Sequence, residues 1–196
     1  MARHVLSAAG MTTSPLSNAV ATAPWTIRIE KPLDLDQIHE LHRAAFAGPH
    51  VAELVDAIRS SSSFVPELSL VAATEDGSVL GHVLLSRIDL QPDDPDAPRL
   101  TVLALAPIAV LPHHQGRGIG TALMREALAT VDARDEPMVA VVGAPSFYEP
   151  FGFEPAAKRD VHGPYDDAGE AFRVRPRPGG TITPGTLIYP ATFSLL

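Results

Sequence analysis

Apolar and polar side chains alternate through Trp25-Thr26-Ile27-Arg28-Ile29-Glu30, the period of a half-buried strand. The period then lengthens. Leu35, Ile38, Leu41, Ala45 and Phe46 share one helical face, with Asp34 at the N-cap position and Gln37 three residues on, and Gly48-Pro49 ends that helix. Val51, Leu54, Val55 and Ile58 predict a second, shorter helix that stops at the serines Ser60 to Ser63.

Leu68 to Thr74 and Val79 to Leu90 are apolar, β-branched runs joined by Glu75-Asp76-Gly77-Ser78, which predicts an antiparallel hairpin. Prolines and aspartates fill Gln91 to Arg99, so that stretch reads as an exposed loop. Leu100 to Val110 is the next strand, and Pro107 inside it demands an edge, a splay or a bulge. Ile119, Leu123, Ala127, Leu128 and Val131 form the buried stripe of a helix, followed by a continuous apolar strand from Met138 to Gly143. Strand, helix, strand in that order implies a right-handed crossover and parallel neighbours. A short helical turn at Ser146 to Glu149 precedes a Pro- and Gly-rich remainder with strands expected around Ala171 to Val174 and Leu187 to Phe193.

Length and composition narrow the class. The 196 residues fit one domain, expected over 24–196, behind a disordered N-terminal tail at 1–23 whose Ser, Thr and Asn interrupt any signal-peptide core. No stretch approaches the roughly 20 apolar residues that cross a bilayer. The chain has no cysteine, which removes disulfides, thiolate metal sites and thiol nucleophiles and makes the cytoplasm the simplest compartment. A formal net charge of −8, with lysine only at Lys31 and Lys158, argues against a nucleic-acid partner. No membrane partner is expected either.

The most informative stretch joins the strand ending at Val110 to the helix beginning near Ile119. Gly116, Gly118 and Gly120 stand at alternate positions there, where backbone N–H groups turn toward one point at the positive end of a helix dipole. Such a turn suits a pyrophosphate. A P-loop needs Gly-Lys-Ser or Gly-Lys-Thr, and this turn holds no lysine. The dinucleotide fingerprint also fails, because its third glycine falls on Thr121 or Leu123.

The remaining pattern, Gln115-x-x-Gly118-x-Gly120, resembles the coenzyme A signature of the GNAT acetyltransferases. Leu105 to Gly120, together with Phe147-Tyr148-Glu149-Pro150-Phe151-Gly152-Phe153, looks most like the predicted N-acetyltransferases typified by the bacterial YhbS proteins. The resemblance implies an α/β (α+β) GNAT fold: a mixed central sheet of about six or seven strands, splayed between the fourth and fifth, with about four flanking helices. It also implies acetyl-CoA as cosubstrate, no metal, and a small-molecule or peptide amine as acceptor; members of the family often form homodimers.

Carried over residue by residue, the resemblance places the pyrophosphate on the amides of Gln115, Gly116, Arg117, Gly118, Ile119, Gly120 and Thr121, with the Arg117 guanidinium also available to phosphate. It gives the backbone N–H groups of Ile108 and Val110 to the thioester carbonyl and the pantetheine, and makes Tyr148 the acid that protonates the departing thiolate. The general base stays open. Water relay is the default, and Glu53, His82, Asp89 and His162 are candidates by polarity only. His113 and His114 read as a surface turn, for no third metal ligand has fitting spacing.

Without cysteine, an acetyl-thiol enzyme is impossible and direct attack in a ternary complex follows. Gly143-Ala144-Pro145-Ser146 is not a G-x-S-x-G elbow, so an acyl-serine route has no support. A coenzyme A-binding protein without catalysis, or an acyltransferase acting on a hydroxyl, would share these motifs. The resemblance brings the acceptor in between the first two helices and the loop Pro155 to Gly169. Glu53, His162, Tyr165, Asp166 and Asp167 fall there: the acids hint at a cationic acceptor, while an acidic surface loop is the plainer explanation.

Overall fold

A computed structural model describes residues 24–46 and 48–195, so the expected tail at 1–23 lies outside the described residues. Strands β1 (Thr26–Ile29), β2 (Phe64–Ala73), β3 (Val79–Pro92) and β4 (Leu100–Val110) pair successively and antiparallel. Helices α1 (Leu35–Ala45) and α2 (His50–Arg59) fill the connection from β1 to β2. Helix α3 (Ile119–Asp132) carries the chain over to β5 (Met138–Val142), which pairs parallel with β4. After the short α4 (Pro145–Tyr148) come β6 (Glu154–Pro155), β7 (Val161–His162), β8 (Phe172–Pro176) and β9 (Gly185–Ile188). The nine strands form one mixed sheet in the order β1-β2-β3-β4-β5-β8-β6, with β9 paired to the far end of β3 and to β7. This is the α+β GNAT fold expected.

Helices cover both faces, which is why the central strands read as nearly continuous apolar runs. Val102 and Ala104 of β4 pack toward Ile38, Leu41 and Leu54 of α1 and α2. Their neighbours Leu103 and Leu105 pack toward Ile119, Leu123 and Ala127 of α3. The two-residue period of β4 therefore assigns its side chains to two separate cores.

Some local expectations need correction. Asp34 does not cap α1 with its side chain. Its carboxylate is buried and taken instead by a bidentate Arg28, at 2.6 and 2.9 Å, and by the Lys31 N–H. Gln37 reaches the start of β3, accepting from the Val79 N–H and donating to the Gly77 carbonyl. The strand expected to run to Phe193 stops at Ile188, because Pro190 cannot donate to a ladder; Ala191–Leu195 is a 3-10 turn that buries Phe193. The loop after β3 starts two residues later than expected, since Gln91 and Pro92 pair with β9. Two-residue strands such as β6 and β7 are too short to show a period.

Candidate active site

Pro107 marks the place where β4 changes partners. Between the pairs Leu85↔Leu105 and Val83↔Ile108, β3 advances two residues and β4 three, so one extra residue bulges from β4 at Ala106-Pro107, a cis peptide. The bulge resets the alternation. The Leu111 N–H donates to the Leu80 carbonyl at 2.9 Å, and by the period of two Ala109 also faces β3, as its pairing with His82 requires. The N–H groups of Ile108 and Val110 therefore point away from β3, toward β5. They meet no strand there, because β4 and β5 pair only over Leu103–Leu105 and Val139–Val141.

The opening between the two strands leads into a cavity of about 460 Å³, bordered by Ala104 to Ile108 on one side and Val141 to Ala144 on the other. A second cavity of about 580 Å³ lies over the turn into α3 and is lined by Ile108 to Val110, His114, Gln115, Gly116 and Gly118 to Thr121. Phe46, Ile108 and Phe147 border both. Sheet opening and glycine turn thus adjoin along these three side chains.

Glycine is required in that turn for its backbone. Gly116 and Gly118 have φ of 73° and 81°, the left-handed region that other residues enter at a cost. Gly118 is the N-cap of α3 and offers no side chain to the helix. The first helical bond runs from the Ala122 N–H to the Gly118 carbonyl at 3.0 Å, so the N–H groups of Ile119, Gly120 and Thr121 have no intrahelical partner. No acid stands in this first turn. Together these groups leave a row of unpaired backbone donors at the positive end of the helix, without a side chain over them.

The site residues expected from the sequence do not all take the same part. Gln115 uses its backbone N–H on the Pro112 carbonyl at 3.4 Å, and its side-chain amide donates to the Val110 carbonyl at 3.1 Å. It ties the turn to the end of β4. Arg117 is exposed and borders neither cavity, whereas His114 lines the second.

Tyr148 is buried across the opening from Ile108 and lines the first cavity. Burial alone pushes its phenol up to about 12, so the hydroxyl is neutral across the physiological range. Its ring is held edge-on between Phe147 and Phe153, with centroids at 5.0 and 5.6 Å. The Tyr-x-x-x-Gly-Phe spacing has a local cause: the 3-10 turn Glu149–Phe151 ends on Gly152 at φ 85°, which returns Phe153 beneath the tyrosine.

Several supports went unread in the sequence. Gly143 leaves room for the Tyr148 ring, which an added Cβ would overlap. Buried Arg173 of β8 donates to the carbonyls of Glu170 and Phe153 and to Glu149, and Arg175 donates to the Phe151 carbonyl while pairing with Asp132 at 2.7 Å. These arginines fasten the turn that carries Tyr148. The available signal was a pair of arginines at alternate positions, Arg173 and Arg175, in a strand that also holds Phe172 and Val174.

None of the four base candidates borders either cavity. Glu53 is exposed near His50, Asp89 pairs with Arg99 at 3.6 Å, and His162 pairs with Asp166 at 3.4 Å. His82 is buried in a polar chain whose direction is set by a carboxylate. Glu30 can only accept, so Ser69 donates to it at 2.6 Å and receives the His82 Nε2–H at 3.0 Å. His82 Nδ1 then accepts from His42 Nε2 at 2.8 Å, leaving His42 Nδ1 as a buried lone pair without a partner. Arg59 closes the chain on Glu30 at 2.7 and 3.0 Å. Among the described residues no group of three or more His, Asp or Glu is placed to hold a metal, and no helix is long and apolar enough to cross a membrane.

A sheet opened beside a glycine-lined helix start, with a tyrosine across the gap, defines a class. Residues 26–156 match the family described as Acetyltransferase (GNAT) domain, and the chain belongs to that family of N-acetyltransferases. The uncharacterized N-acetyltransferase YhbS of Escherichia coli (strain K12) is 33% identical over 148 residues, which cover 76% of this chain and 84% of that one. The crystal structure of Escherichia coli YhbS in complex with CoA matches with a TM-score of 0.76 at 29% identity, covering 88% of this chain and 93% of the other. A GNAT family acetyltransferase from Brucella melitensis in complex with acetyl-CoA matches with a TM-score of 0.69 at 28% identity, covering 86% and 97%.

Proposed function

We propose that the protein binds acetyl-CoA across the two cavities and transfers its acetyl group to an amine by direct attack in a ternary complex. The observation that carries this reading is the alignment of unused donors. The Ile108 and Val110 N–H groups face the sheet opening, and those of Ile119 to Thr121 face the adjoining cavity. The pyrophosphate rests on the turn Gln115 to Thr121, chiefly on the amides from Gly116 onward, and the pantetheine lies between β4 and β5. The Arg117 side chain reaches phosphate from outside.

In the reaction the amine nitrogen forms a bond to the thioester carbonyl carbon, and the negative oxygen that develops is met by the Ile108 N–H. The Val110 N–H holds the pantetheine. The carbon–sulfur bond then breaks, the thiolate takes the Tyr148 proton, and a proton equivalent to the one lost by the amine returns through water to the phenolate, which restores Tyr148. Water carries away the proton lost by the amine, since none of the sequence's base candidates borders the cavities. Tyr148 suits its part because burial keeps it neutral, and the thiolate that departs beside it forms in the same apolar cavity, where its charge is disfavoured as well.

Mixing the protein with acetyl-CoA and an amine panel, then following free thiol and N-acetyl product by mass spectrometry, tests this directly. The reading expects thiol and acetylated amine in equal amounts and no acetylated protein on the path. A covalent acetyl-protein that decays into product would overturn the direct attack, and bound acetyl-CoA with no transfer to any amine would overturn the catalysis.

A further inference from the structure

The wall of the first cavity opposite the sheet opening has a composition of its own. Phe46 at the end of α1, Val51 and Leu54 of α2, Tyr165 from the loop after β7, and Tyr189 and Phe193 after β9 border it. The three rings from the C-terminal half lock edge to face: Tyr165 on Tyr189 and Tyr189 on Phe193, with centroids 5.0 Å apart in both pairs. Among the described residues, no carboxylate, lysine, arginine or histidine side chain lines the cavity. The acids that hinted at a cationic acceptor, Glu53, Asp166 and Asp167, are exposed outside it, and only Tyr165 of that group borders it.

The polar side-chain atoms bordering this cavity are the hydroxyls of Tyr148, Tyr165 and Tyr189, and none of them has a hydrogen-bond partner among the described residues. Burial raises all three phenols, so they stay neutral. We propose that this chamber takes a small primary amine carried on an uncharged apolar body, an arylalkyl or branched alkyl amine, as the acetyl acceptor. The inference rests on the acetyl-transfer reading and adds to it the acceptor's chemical class.

Three physical arguments favour that class. A ring or branched chain seated here exchanges water for aromatic and aliphatic surface. A second ammonium or a carboxylate on the acceptor would lose its hydration and find no opposite charge. The reacting nitrogen must also be uncharged to attack, and an apolar surround shifts an ammonium toward its free amine. The chamber thereby does part of the work for which the cavity supplies no side-chain base.

The test uses the full chain. Titration calorimetry with acetyl-CoA comes first, followed by thiol release with phenethylamine and isoamylamine against spermidine and an N-terminally blocked lysine peptide. Expected are kcat/KM values for the two apolar amines about 100-fold or more above those for the two charged acceptors. Val51→Asp puts a carboxylate at the chamber wall in the first turn of α2, where an acid suits the helix dipole. It should lower kcat/KM for phenethylamine about tenfold or more and narrow the gap to spermidine, with the acetyl-CoA Kd unchanged.

The outcomes separate the two readings. Absence of acetyl-CoA binding removes the transfer reading itself. Acetyl-CoA binding with spermidine or the lysine peptide preferred, or with neither apolar amine acetylated, overturns the acceptor class. An unchanged preference in a folded Val51→Asp variant counts against the chamber as the acceptor's seat.

Discussion

Gly143 and Tyr148 share one volume: the tyrosine ring lies against the glycine Cα so closely that a single added methyl group would overlap it. The end of β5 and the short helix that follows are therefore fitted to each other, and the phenol is aimed by backbone packing. Gly143→Ala should displace the ring, destabilise the protein by about 1–3 kcal/mol, and lower kcat by tenfold or more. Thermal unfolding and steady-state kinetics check this. A variant of wild-type activity would show that the ring's position does not matter.

Tyr148→Phe keeps the ring and its contacts with Phe147 and Phe153 while removing the hydroxyl. The expected result is a fall in kcat of about 100-fold with acetyl-CoA affinity and thermal midpoint unchanged. Because burial pushes the phenol up to about 12, the wild-type rate should show no loss from tyrosine ionisation up to about pH 10. An acceptor whose amine is already free at neutral pH separates this limb from amine ionisation.

The buried chain from His42 to Glu30 predicts an acid-sensitive fold. Burial, followed by the neighbouring His82 and Arg59, pushes His42 down to about 2, and burial lowers His82 despite the nearby Glu30 carboxylate. Below an unfolded value of about 6.5 the unfolded chain binds protons that the folded one refuses, so stability is full above that pH and falls as pH drops. Each histidine contributes a slope of about 1.4 kcal/mol per pH unit in that range. Glu30, held well below the usual carboxylate range against its own burial by His82, Arg59 and Ser69, adds a loss below about pH 4.5. Denaturant unfolding from pH 8 to pH 5 measures this, and a midpoint that is flat through pH 6 would contradict it. His42→Gln should remove one histidine's share of the slope.

The architecture was legible in the sequence wherever a period was long enough to read. The stripe from Ile119 to Val131, the hairpin around Gly77 and the alternation of Trp25 to Glu30 each predict the element found. Pro107 marked the break in β4, and the glycines at 116 and 118 do occupy left-handed backbone. What stayed hidden depends on contacts between distant segments. Asp34 reads as a cap until Arg28 is seen beside it, and Gln37 reads as its partner until β3 arrives forty residues later to claim it. No local pattern brings Tyr165, Tyr189 and Phe193 into the chamber facing Phe46. The acids Glu53, Asp166 and Asp167 were visible in the sequence, but their outward placement is a tertiary fact.

Acetyl-CoA binding is predicted to depend on the backbone donors at the start of α3. Gly120 has helical backbone, and a Cβ there would sit 3.6 Å from the Phe147 ring, an ordinary contact, so neither the backbone nor the first side-chain atom opposes a substitution. An acid at that position suits the positive end of the helix and opposes a pyrophosphate. Isothermal titration of acetyl-CoA into the wild type and Gly120→Glu measures the claim most directly. Binding by the wild type, weakened about 100-fold or more in a variant of equal or higher thermal stability, is the predicted result. Equal affinity in the two proteins, or no heat with the wild type, would contradict it.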